Sequence, residues 1–424
     1  SRSMWRDLPV TVDLRATAEA DDRLLSARLD SLVPVLMDRA GLDAWVLAAR
    51  EYNEDPVLQT MLPATWLDTA RRRTILLILR TPEGVTRQAV ARYAVGDAFP
   101  AAWDPEAQPD QWTRLAELLA DADPSRIGVN VSPTFPLADG LSDSEHAELV
   151  ERLPASLADR VVSADVAAIG WLETRLPEER SAMADACRES HGYLRRALSA
   201  EVITPGATTT ADVEWWLRNE VHRAGHGSWF HPTCSVQRRG GEPRDSFAGK
   251  PGTTVIERGD LVHIDFGIVA AGYCTDQQQH AYVRLPGEPG APAGLAAGLA
   301  CANRLQDLLL AQFAVSRTGN EILRATREAA RAEALDGLVY THPIGVHGHA
   351  AGPTIGLWDN QEAVPGQGDY PVWPSTAYSI ELQARVAVAE WDGQVVQFML
   401  EEDAWFDGDE CAFLDGRQQD LWLI

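Results

Sequence analysis

The chain has 424 residues, of which 45% are hydrophobic and 23% are charged, and its formal net charge is −25. This composition is typical of a folded globular protein with two or three domains, and it excludes a disordered or fibrous chain. The negative charge opposes binding to nucleic acid and to anionic membrane surfaces. No apolar run has the roughly 18 residues that a membrane-spanning helix needs. Small molecules and short peptides therefore remain as the expected ligands.

The cysteines indicate the compartment. There are five, they are widely spaced, and none forms a Cys-x-x-Cys pair. A disulfide framework or a structural zinc site is therefore not expected, and a reducing, cytoplasmic location fits this pattern. The residues Ser-Arg-Ser before Met4 are interpreted as an added N-terminal stretch, with a trimmed secretory precursor as the alternative.

Residues 1–165 are predicted to form an α/β domain. Residues 24–38 have the apolar spacing of a helix, and further helical stretches separate several short runs of strand-forming residues. The expected strands cover residues 44–49, 74–80, 85–95 and 126–132. This part contains no cysteine and a single histidine, His146, so it offers little catalytic chemistry.

A second domain is expected over residues 166–424. Pro177 suits the first turn of a helix, and Thr209 with Asp212 predicts the start of another helix that ends near Gly225. The predicted helices cover residues 178–199, 210–224, 293–314 and 320–334, and the predicted strands cover 228–238, 261–283, 376–390 and 395–406. Helices beside mostly antiparallel hairpins indicate an α+β architecture.

Two aspartates lie in the predicted hairpin over residues 261–283. If the chain turns at the small residues 270–272, Asp265 and Asp276 become near-opposite partners. Opposed side chains on antiparallel strands lie roughly 5 Å apart, so two like charges there repel unless a cation lies between them. The alternative is that one or both carboxylates end a strand in water.

Glu381, Glu401 and Glu402 are the candidate glutamates on the last two predicted strands. Glu402 shares an apolar face with Leu400, where an unpaired carboxylate is costly, so we expect it to have a strong partner such as a metal. Glu401 has a solvated interpretation, and Glu402 is preferred for this reason. Glu381 shares a face with Arg385, so a surface salt bridge is the alternative to a functional role.

The stretch THPIGVHGH at residues 341–349 contains three of the ten histidines. Two aspartates within HIDFG…GYCTD, then this histidine loop, then two glutamates on late strands form an order that resembles the pita-bread metallopeptidases. That family includes aminopeptidase P, prolidase, methionine aminopeptidase and creatinase. The resemblance implies an α+β pita-bread catalytic domain, preceded by a smaller α/β domain of the creatinase type.

The resemblance also implies metal ligands and one further histidine. Carried over by position, the ligands are Asp265, Asp276, His342, Glu381 and Glu402. His349 is expected to face the substrate and to transfer a proton or stabilise an oxyanion, and Glu381 is expected also to accept the proton of the attacking water. The family pattern assigns no role to His263, His280 or His347.

The implied donor set bears on the choice of metal. Four carboxylates and one imidazole carry four negative charges, which two divalent cations neutralise. Oxygen-rich sites favour Mn²⁺, with Co²⁺ and Zn²⁺ as alternatives. Two such ions can activate a water and bind the carbonyl oxygen of a peptide bond. A dinuclear metal site that acts on short peptides is therefore expected.

Three substrate-side positions depart from aminopeptidase P and prolidase. A histidine expected four residues before His342 is Leu338, an arginine expected two residues before the last ligand is Leu400, and residues 243–252 lack another expected histidine. A buried acceptor left without a donor costs roughly 1–3 kcal/mol, so strict Xaa-Pro specificity is not expected. The loop 350–375, which is rich in glycine, proline and aromatic residues, forms either a different pocket or a surface connection.

The predicted activity is removal of an N-terminal residue from short peptides, as in Xaa-Pro aminopeptidases, with a broader substrate range allowed. An Xaa-Pro dipeptidase (prolidase) is the nearest alternative. A non-peptidase C–N hydrolase of the creatinase kind, or a catalytically silent binding protein on the same fold, is disfavoured because all five ligand positions are filled. By analogy with the family, a homodimer is expected.

Overall fold

The computed structural model describes residues 13–242 and 253–424. The chain divides into two compact units, Ser1–Trp171 and Leu172–Ile424. The division lies within helix Asp165–Glu173, whose first residue is the end of the first domain expected from the sequence. In the described part of the chain, no helix has the length and apolar character to cross a membrane. Met4 and the stretch 243–252 lie outside the described residues.

The first unit is built around a five-stranded sheet, which confirms the predicted α/β class. Its strands are β1 (Ala44–Arg50), β2 (Arg73–Thr81), β3 (Gly84–Val90), β4 (Ile127–Val129) and β5 (Val161–Ser163). Their order is β3-β2-β1-β4-β5, with antiparallel pairs on the β3 side and parallel pairs on the β5 side. Its helices are α1 (Leu14–Ala40), α2 (Pro56–Gln59), α3 (Gln111–Ala122), α4 (Asp143–Arg152), α5 (Ala155–Ala158) and α6 (Asp165–Glu173).

In its described residues, the second unit combines four α-helices with a large, mostly antiparallel sheet. The helices are α7 (Pro177–Ala197), α8 (Thr210–Arg223), α9 (Ala293–Leu310) and α10 (Gly319–Ala332). The strands are β6 (Thr233–Gln237), β7 (Leu261–Phe266), β8 (Val269–Ala270), β9 (Tyr273–Cys274), β10 (Gln277–Tyr282), β11 (Gly337–Val339), β12 (His342–Pro343), β13 (Thr376–Val388), β14 (Gln394–Phe406), β15 (Cys411–Phe413) and β16 (Trp422–Leu423). The main path of the sheet is β11-β13-β14-β10-β7-β6. The predicted α+β class is confirmed.

The start of helix α8 follows its local sequence. Thr209 Oγ1 accepts the Asp212 N–H at 3.1 Å, and the Asp212 carboxylate accepts the Thr209 N–H at 2.9 Å. These reciprocal bonds satisfy two N–H groups that the helix itself leaves without partners. Gly225 follows the helix with a φ of 79°, a conformation that glycine adopts without a steric penalty.

Alternation along the strands gives the large sheet two different faces. On one face, apolar residues of β13 and β14 such as Ile380, Leu382 and Leu400 belong to a core shared with α9 and α10. On the same side, Ile264 of β7 belongs to a core shared with α7 and α8. Residues one position away point to the opposite face, because successive side chains of a strand alternate. That opposite face carries the carboxylates described below.

The hairpin that carries the two aspartates differs in register from the prediction. Asp265 pairs with Gln278, so Asp276 lies two residues from the position directly opposite Asp265. The reason is a two-residue turn at Ala271 and Gly272, which have φ values of 51° and 84°. This turn joins β8 to β9 and shifts the pairing relative to a turn centred on residue 271. The two aspartates are therefore diagonal neighbours on the same face.

Candidate metal centre

Acidic and histidine side chains converge on the face of the sheet opposite the helices. Possible ligand atoms come within 4.8 Å of one another in three overlapping groups: Asp265, Asp276 and Glu401; His342, Glu381 and Glu401; and Asp276, His342 and His349. Of these six residues, two lie in the β7–β10 hairpin, one in β12 and two in the β13–β14 hairpin, and His349 lies in the loop after β12. The structure thus brings together four of the five ligands expected from the sequence, with Glu401 beside them.

The backbone and side chain of Asp276 are held differently. Its N–H donates to Asp403 Oδ2 at 3.1 Å, which anchors the start of β10 against β14. Its Oδ1 atom is buried and has no hydrogen-bond partner. A buried carboxylate oxygen without a donor is costly, so this atom fits a position that a cation would satisfy.

His342 presents one defined nitrogen to the carboxylates. Its Nδ1 lies 2.8 Å from the carbonyl oxygen of Pro343, so Nδ1 carries the proton in that contact. Its Nε2 lies 3.2 Å from Glu401 Oε2 and 3.3 Å from Asp276 Oδ2. A hydrogen bond from one ring nitrogen to a carbonyl is the usual way in which a metal-binding histidine is oriented, with the other nitrogen free to coordinate.

Glu381 and Glu401 face each other across the β13–β14 pair. The Gln278 amide donates to Glu381 Oε2 at 2.7 Å and to Glu401 Oε1 at 2.8 Å. Ser379 Oγ donates to Glu401 Oε2 at 2.8 Å. Arg385 pairs instead with Asp336, at 2.8 Å, so the alternative of a surface salt bridge between Arg385 and Glu381 is not observed.

Glu402, which the sequence analysis placed among the ligands, does not lie in this cluster, and Glu401 lies there instead. The side chain of Glu402 points to the helix side of the sheet, where Oε2 lies 2.5 Å from His191 Nε2 of α7. Its Oε1 accepts a bond from Gln279 at 2.8 Å. His191 in turn contacts Asp415 through Nδ1 at 2.7 Å. The strong partner expected for a buried Glu402 is therefore an imidazole.

The sequence marks the turn between β13 and β14, and the observed register places Glu401 in the cluster. Asp392 and Gly393 lie between β13 and β14 with φ values of 58° and 78°, and an Asp-Gly pair between apolar strands is a strong hairpin signal. Counting outward from Val388, which pairs with Gln394, places Glu381 opposite Glu401. Two carboxylates at directly opposed positions indicate a shared cation more directly than does burial of a single glutamate.

The three histidines of the loop 341–349 have different surroundings. His349 is exposed, and its ring lies 4.7 Å from that of His342 between centroids, nearly perpendicular to it. Trp229 contacts His349 edge to face at 5.2 Å, and its ring fills the space beside Gly348, where a Cβ atom would lie 2.3 Å from it. His347 is half-buried and belongs to none of the three groups of ligand atoms.

Electrostatics within the cluster favours bound cations. Burial, together with the charges of Glu401 and Asp265, raises the pKa of Asp276 well above its usual range. Burial and the same two charges raise the pKa of Glu381 well above its usual range. Burial opposes ionisation of Glu401 as well, but the hydrogen bond and charge of His342, together with hydrogen bonds to Asp276 and Gln278, outweigh burial and lower the pKa of Glu401. The donor set, rich in carboxylate oxygens that repel one another, fits hard divalent metal ions.

Two of the expected substrate-binding positions carry apolar residues. Leu338 lies on β11 opposite Gln383. With Glu401 as the last cluster glutamate, the position two residues earlier is Met399, so the departure assigned to Leu400 is corrected to Met399. Met399 is buried, and its N–H donates to His280 Nε2 at 2.9 Å. Neither position carries a donor for the substrate, and residues 243–252 lie outside the described part.

Comparison with known protein families matches residues 181–395 to the model for metallopeptidase family M24, just over half of the chain. The chain belongs to metallopeptidase family M24. The resemblance to pita-bread metallopeptidases is thereby confirmed, and the assignment supports a metallopeptidase. The matched residues include Asp265, Asp276, His342 and Glu381, whereas Glu401 and Glu402 lie beyond them. The register of the β13–β14 hairpin therefore decides between these two glutamates.

The similar proteins bear Xaa-Pro peptidase names. A putative Xaa-Pro aminopeptidase of Mycoplasma genitalium is 28% identical over 106 residues, which cover 24% of this M24 chain and 27% of that relative. This match thus spans about a quarter of the relative's length. Among solved structures, the X-Pro aminopeptidase of Thermotoga maritima has a TM-score of 0.61 at 19% identity and covers 92% of this chain and 100% of that one.

Other solved structures share the fold of this chain at low sequence identity. An Xaa-Pro dipeptidase from Bacillus anthracis has a TM-score of 0.60 at 17% identity, covering 96% of this chain and 100% of that one. The N-terminal domain of the FACT complex subunit SPT16 from Cicer arietinum has a TM-score of 0.55 at 11% identity, covering 97% and 99%. At these identities the likeness establishes the two-domain M24 fold, and the activity has to be argued from the site.

Proposed function

We propose that this M24 protein is a dinuclear metal-dependent exopeptidase that removes the N-terminal residue from short peptides. The observation that carries the proposal is the convergence of Asp265, Asp276, His342, Glu381 and Glu401 on one face of the sheet. These five side chains supply carboxylate oxygens and one oriented imidazole nitrogen, a donor set suited to two divalent cations, with Mn²⁺ preferred over Co²⁺ and Zn²⁺. Bound there, such ions would polarise a peptide carbonyl and lower the pKa of a water.

Two residues of the chain are proposed to handle protons. Glu381 accepts the proton of the attacking water. Gln278 donates to Oε2 of this carboxylate, so Oε1 is the oxygen that receives the proton. His349 lies beside His342 on the exposed side of the cluster, within reach of a substrate that enters from solvent. Burial and the neighbouring His342 lower the pKa of His349, which favours an imidazole that is neutral near pH 7. His349 then stabilises the developing oxyanion or delivers a proton to the leaving amine.

Xaa-Pro peptides are the proposed substrates, with a range broader than proline alone. The donors expected at positions 338 and 399 are replaced by the apolar Leu338 and Met399, so recognition of the proline end depends on other groups. In loop 350–375, the Tyr370 hydroxyl donates to Glu173 at 3.1 Å, which is a structural role. Trp358 of the same loop is 44% exposed.

A panel of peptides tests the activity. Purified protein is first analysed for metal and then assayed with Xaa-Pro dipeptides, longer Xaa-Pro peptides and proline-free peptides, with and without Mn²⁺. We expect Mn²⁺-dependent release of the first residue from Xaa-Pro tripeptides and slower cleavage of some proline-free peptides. Cleavage of dipeptides alone would favour a prolidase, and cleavage of none with metal bound would contradict the proposal.

Assembly is a separate part of the proposal. We propose a homodimer by analogy with the relatives, and sedimentation velocity measures the mass directly. A monomer that cleaves the panel at full rate would leave the catalytic proposal intact and contradict the dimer.

A further inference from the structure

We propose that Gln278 is a positioning residue that holds the two opposed glutamates of the cluster in a metal-binding arrangement. The inference rests on the proposed function in one respect, because it assigns metal binding to the cluster. Gln278 is fully buried and is itself a very weak candidate for a metal ligand, since its carbonyl oxygen points away from the carboxylates. Its proposed effect acts through Glu381 and Glu401.

One nitrogen atom of Gln278 contacts both glutamates. Gln278 Nε2 lies 2.7 Å from Glu381 Oε2 and 2.8 Å from Glu401 Oε1, so each of its two hydrogens is directed at one carboxylate. Glu381 and Glu401 are directly opposed on β13 and β14, where like charges repel. The amide therefore fixes one oxygen of each carboxylate. The remaining oxygen of Glu401 faces His342, at 3.2 Å from Nε2.

The orientation of this amide is determined by the two carboxylates. If the amide were flipped, its carbonyl oxygen would face both of them, which is repulsive, so Nε2 is the atom that faces Glu381 and Glu401. With this orientation Gln278 Oε1 lies 2.8 Å from His263 Nε2, so His263 donates and its Nε2 is protonated. His263 is 2% exposed, so solvent does not compete for this bond.

His280 extends the same arrangement. Its Nε2 accepts the N–H of Met399, two residues before Glu401 on β14, so its other nitrogen carries the proton. The rings of His263 and His280 lie 5.0 Å apart between centroids, and both are buried. Of these two histidines, to which the family resemblance assigns no role, His263 contacts Gln278, and His280 contacts the ring of His263 and the backbone of β14.

The adjacent glutamine provides a matched control. Gln279 is also buried and also donates to a glutamate, Glu402, at 2.8 Å. Its side chain lies on the helix side of the sheet, away from the cluster. Replacing Gln278 or Gln279 by Met removes a buried amide of the same size from neighbouring positions of β10. Only the first change removes donors from cluster glutamates.

The experiment compares metal affinity among wild-type protein, Gln278→Met, Gln278→Asn and Gln279→Met. Metal-free protein is titrated calorimetrically with Mn²⁺, and thermal unfolding verifies that each variant is folded. Loss of groups that orient metal ligands typically weakens metal binding about 10- to 100-fold. We expect this increase in Kd for Gln278→Met, and for Gln278→Asn because its amide is one methylene too short. We expect a change of less than about threefold for Gln279→Met.

A second readout separates positioning from general destabilisation. With saturating Mn²⁺ and an Xaa-Pro tripeptide, Gln278→Met should lower kcat while KM stays near the wild-type value, since Gln278 does not contact substrate. The proposal is overturned if a folded Gln278 variant binds Mn²⁺ within about threefold of wild type, or if Gln279→Met loses as much affinity. If wild-type protein binds Mn²⁺ but cleaves no peptide, the proposed function fails, while the Kd comparison still decides the role of Gln278.

Discussion

Glu381 and Glu401 lie directly opposite each other on adjacent strands, and the amide of Gln278 donates a hydrogen bond to each of them. Two buried carboxylates in this position repel each other unless positive charge is supplied. His342 lies on one side of the pair, with Nε2 at 3.2 Å from Glu401. The pair therefore has the character of a ligand set that is completed by cations.

The choice between the two adjacent glutamates can be tested directly. Glu401→Gln should weaken Mn²⁺ binding at least 10-fold and abolish peptide cleavage, because it removes a charged oxygen from two of the three groups of ligand atoms. Glu402→Gln should keep Mn²⁺ affinity within about threefold of wild type, since its partners are His191 and Gln279. Calorimetric titration and a cleavage assay measure both. Equal loss of metal in the two variants would restore Glu402 as a ligand.

His342 and His349 should respond differently to replacement. His342→Ala removes a nitrogen from the cluster and should lose metal, whereas His349→Ala should retain metal and lower kcat by roughly 10²- to 10⁴-fold, the usual size of a general acid–base contribution. Metal analysis with steady-state kinetics separates the two effects. If His347→Ala proved as damaging as either, the division of roles within the loop would be wrong.

Gly348 offers an independent test of the His349 arrangement. A Cβ at this position would lie 2.3 Å from the ring of Trp229, which contacts His349. Gly348→Ala should therefore displace Trp229 and lower kcat while Mn²⁺ affinity changes little. A matched change, Gly345→Ala, meets no atom within 4 Å and should have a smaller effect on turnover. Equal turnover in wild type and Gly348→Ala would show that Trp229 does not position His349.

The stability of metal-free protein should depend on pH through Glu381. Burial and the nearby charges raise its pKa in the folded state, so the folded protein holds this proton more tightly than the unfolded chain does. The stability that protonated Glu381 contributes is fully present below its pKa in the unfolded chain, about 4.3. It is lost as pH rises through the pKa of Glu381 in the folded protein. Metal-free Glu381→Gln should not show this pH-dependent loss of stability. The free energy of unfolding of the variant minus that of wild type should therefore increase from pH 5 to pH 8. Denaturant unfolding at both pH values measures the difference, and a constant difference would contradict the prediction.

His191 should produce a separate effect at higher pH. Burial opposes its charge, but the charge and hydrogen bond of Glu402 and the contact with Asp415 outweigh burial and raise the pKa of His191 to about 9. Because the folded-state pKa is raised, the stabilisation is complete below pH 6.5 and is lost as pH rises to about 9. Wild type should lose on the order of 2 kcal/mol relative to His191→Gln across this window. Parallel loss of stability in both proteins would show that His191 is not charged.

Local sequence determined much of the fold, because its signals act over a few residues. The Thr209–Asp212 cap, Pro177 at the start of α7 and the alternation in β13 and β14 each depend on short-range geometry. The order of Asp265, Asp276 and His342 also carried the family resemblance, which the match to family M24 confirmed. These features can be predicted because capping, proline placement and strand alternation follow from adjacent backbone groups.

Tertiary structure decided which side chains meet. Glu402 was preferred from the sequence because it shares a row with apolar residues, yet that row faces the helices, where His191 lies 211 positions earlier in the chain and supplies its partner. Glu401 became a member of the cluster through pairing with Glu381 and contact with His342. Gln278, with His263 behind it, showed no motif at all. Their roles follow from contacts between distant strands, since a carboxylate's partners depend on how the strands and helices pack and not on its neighbours in sequence.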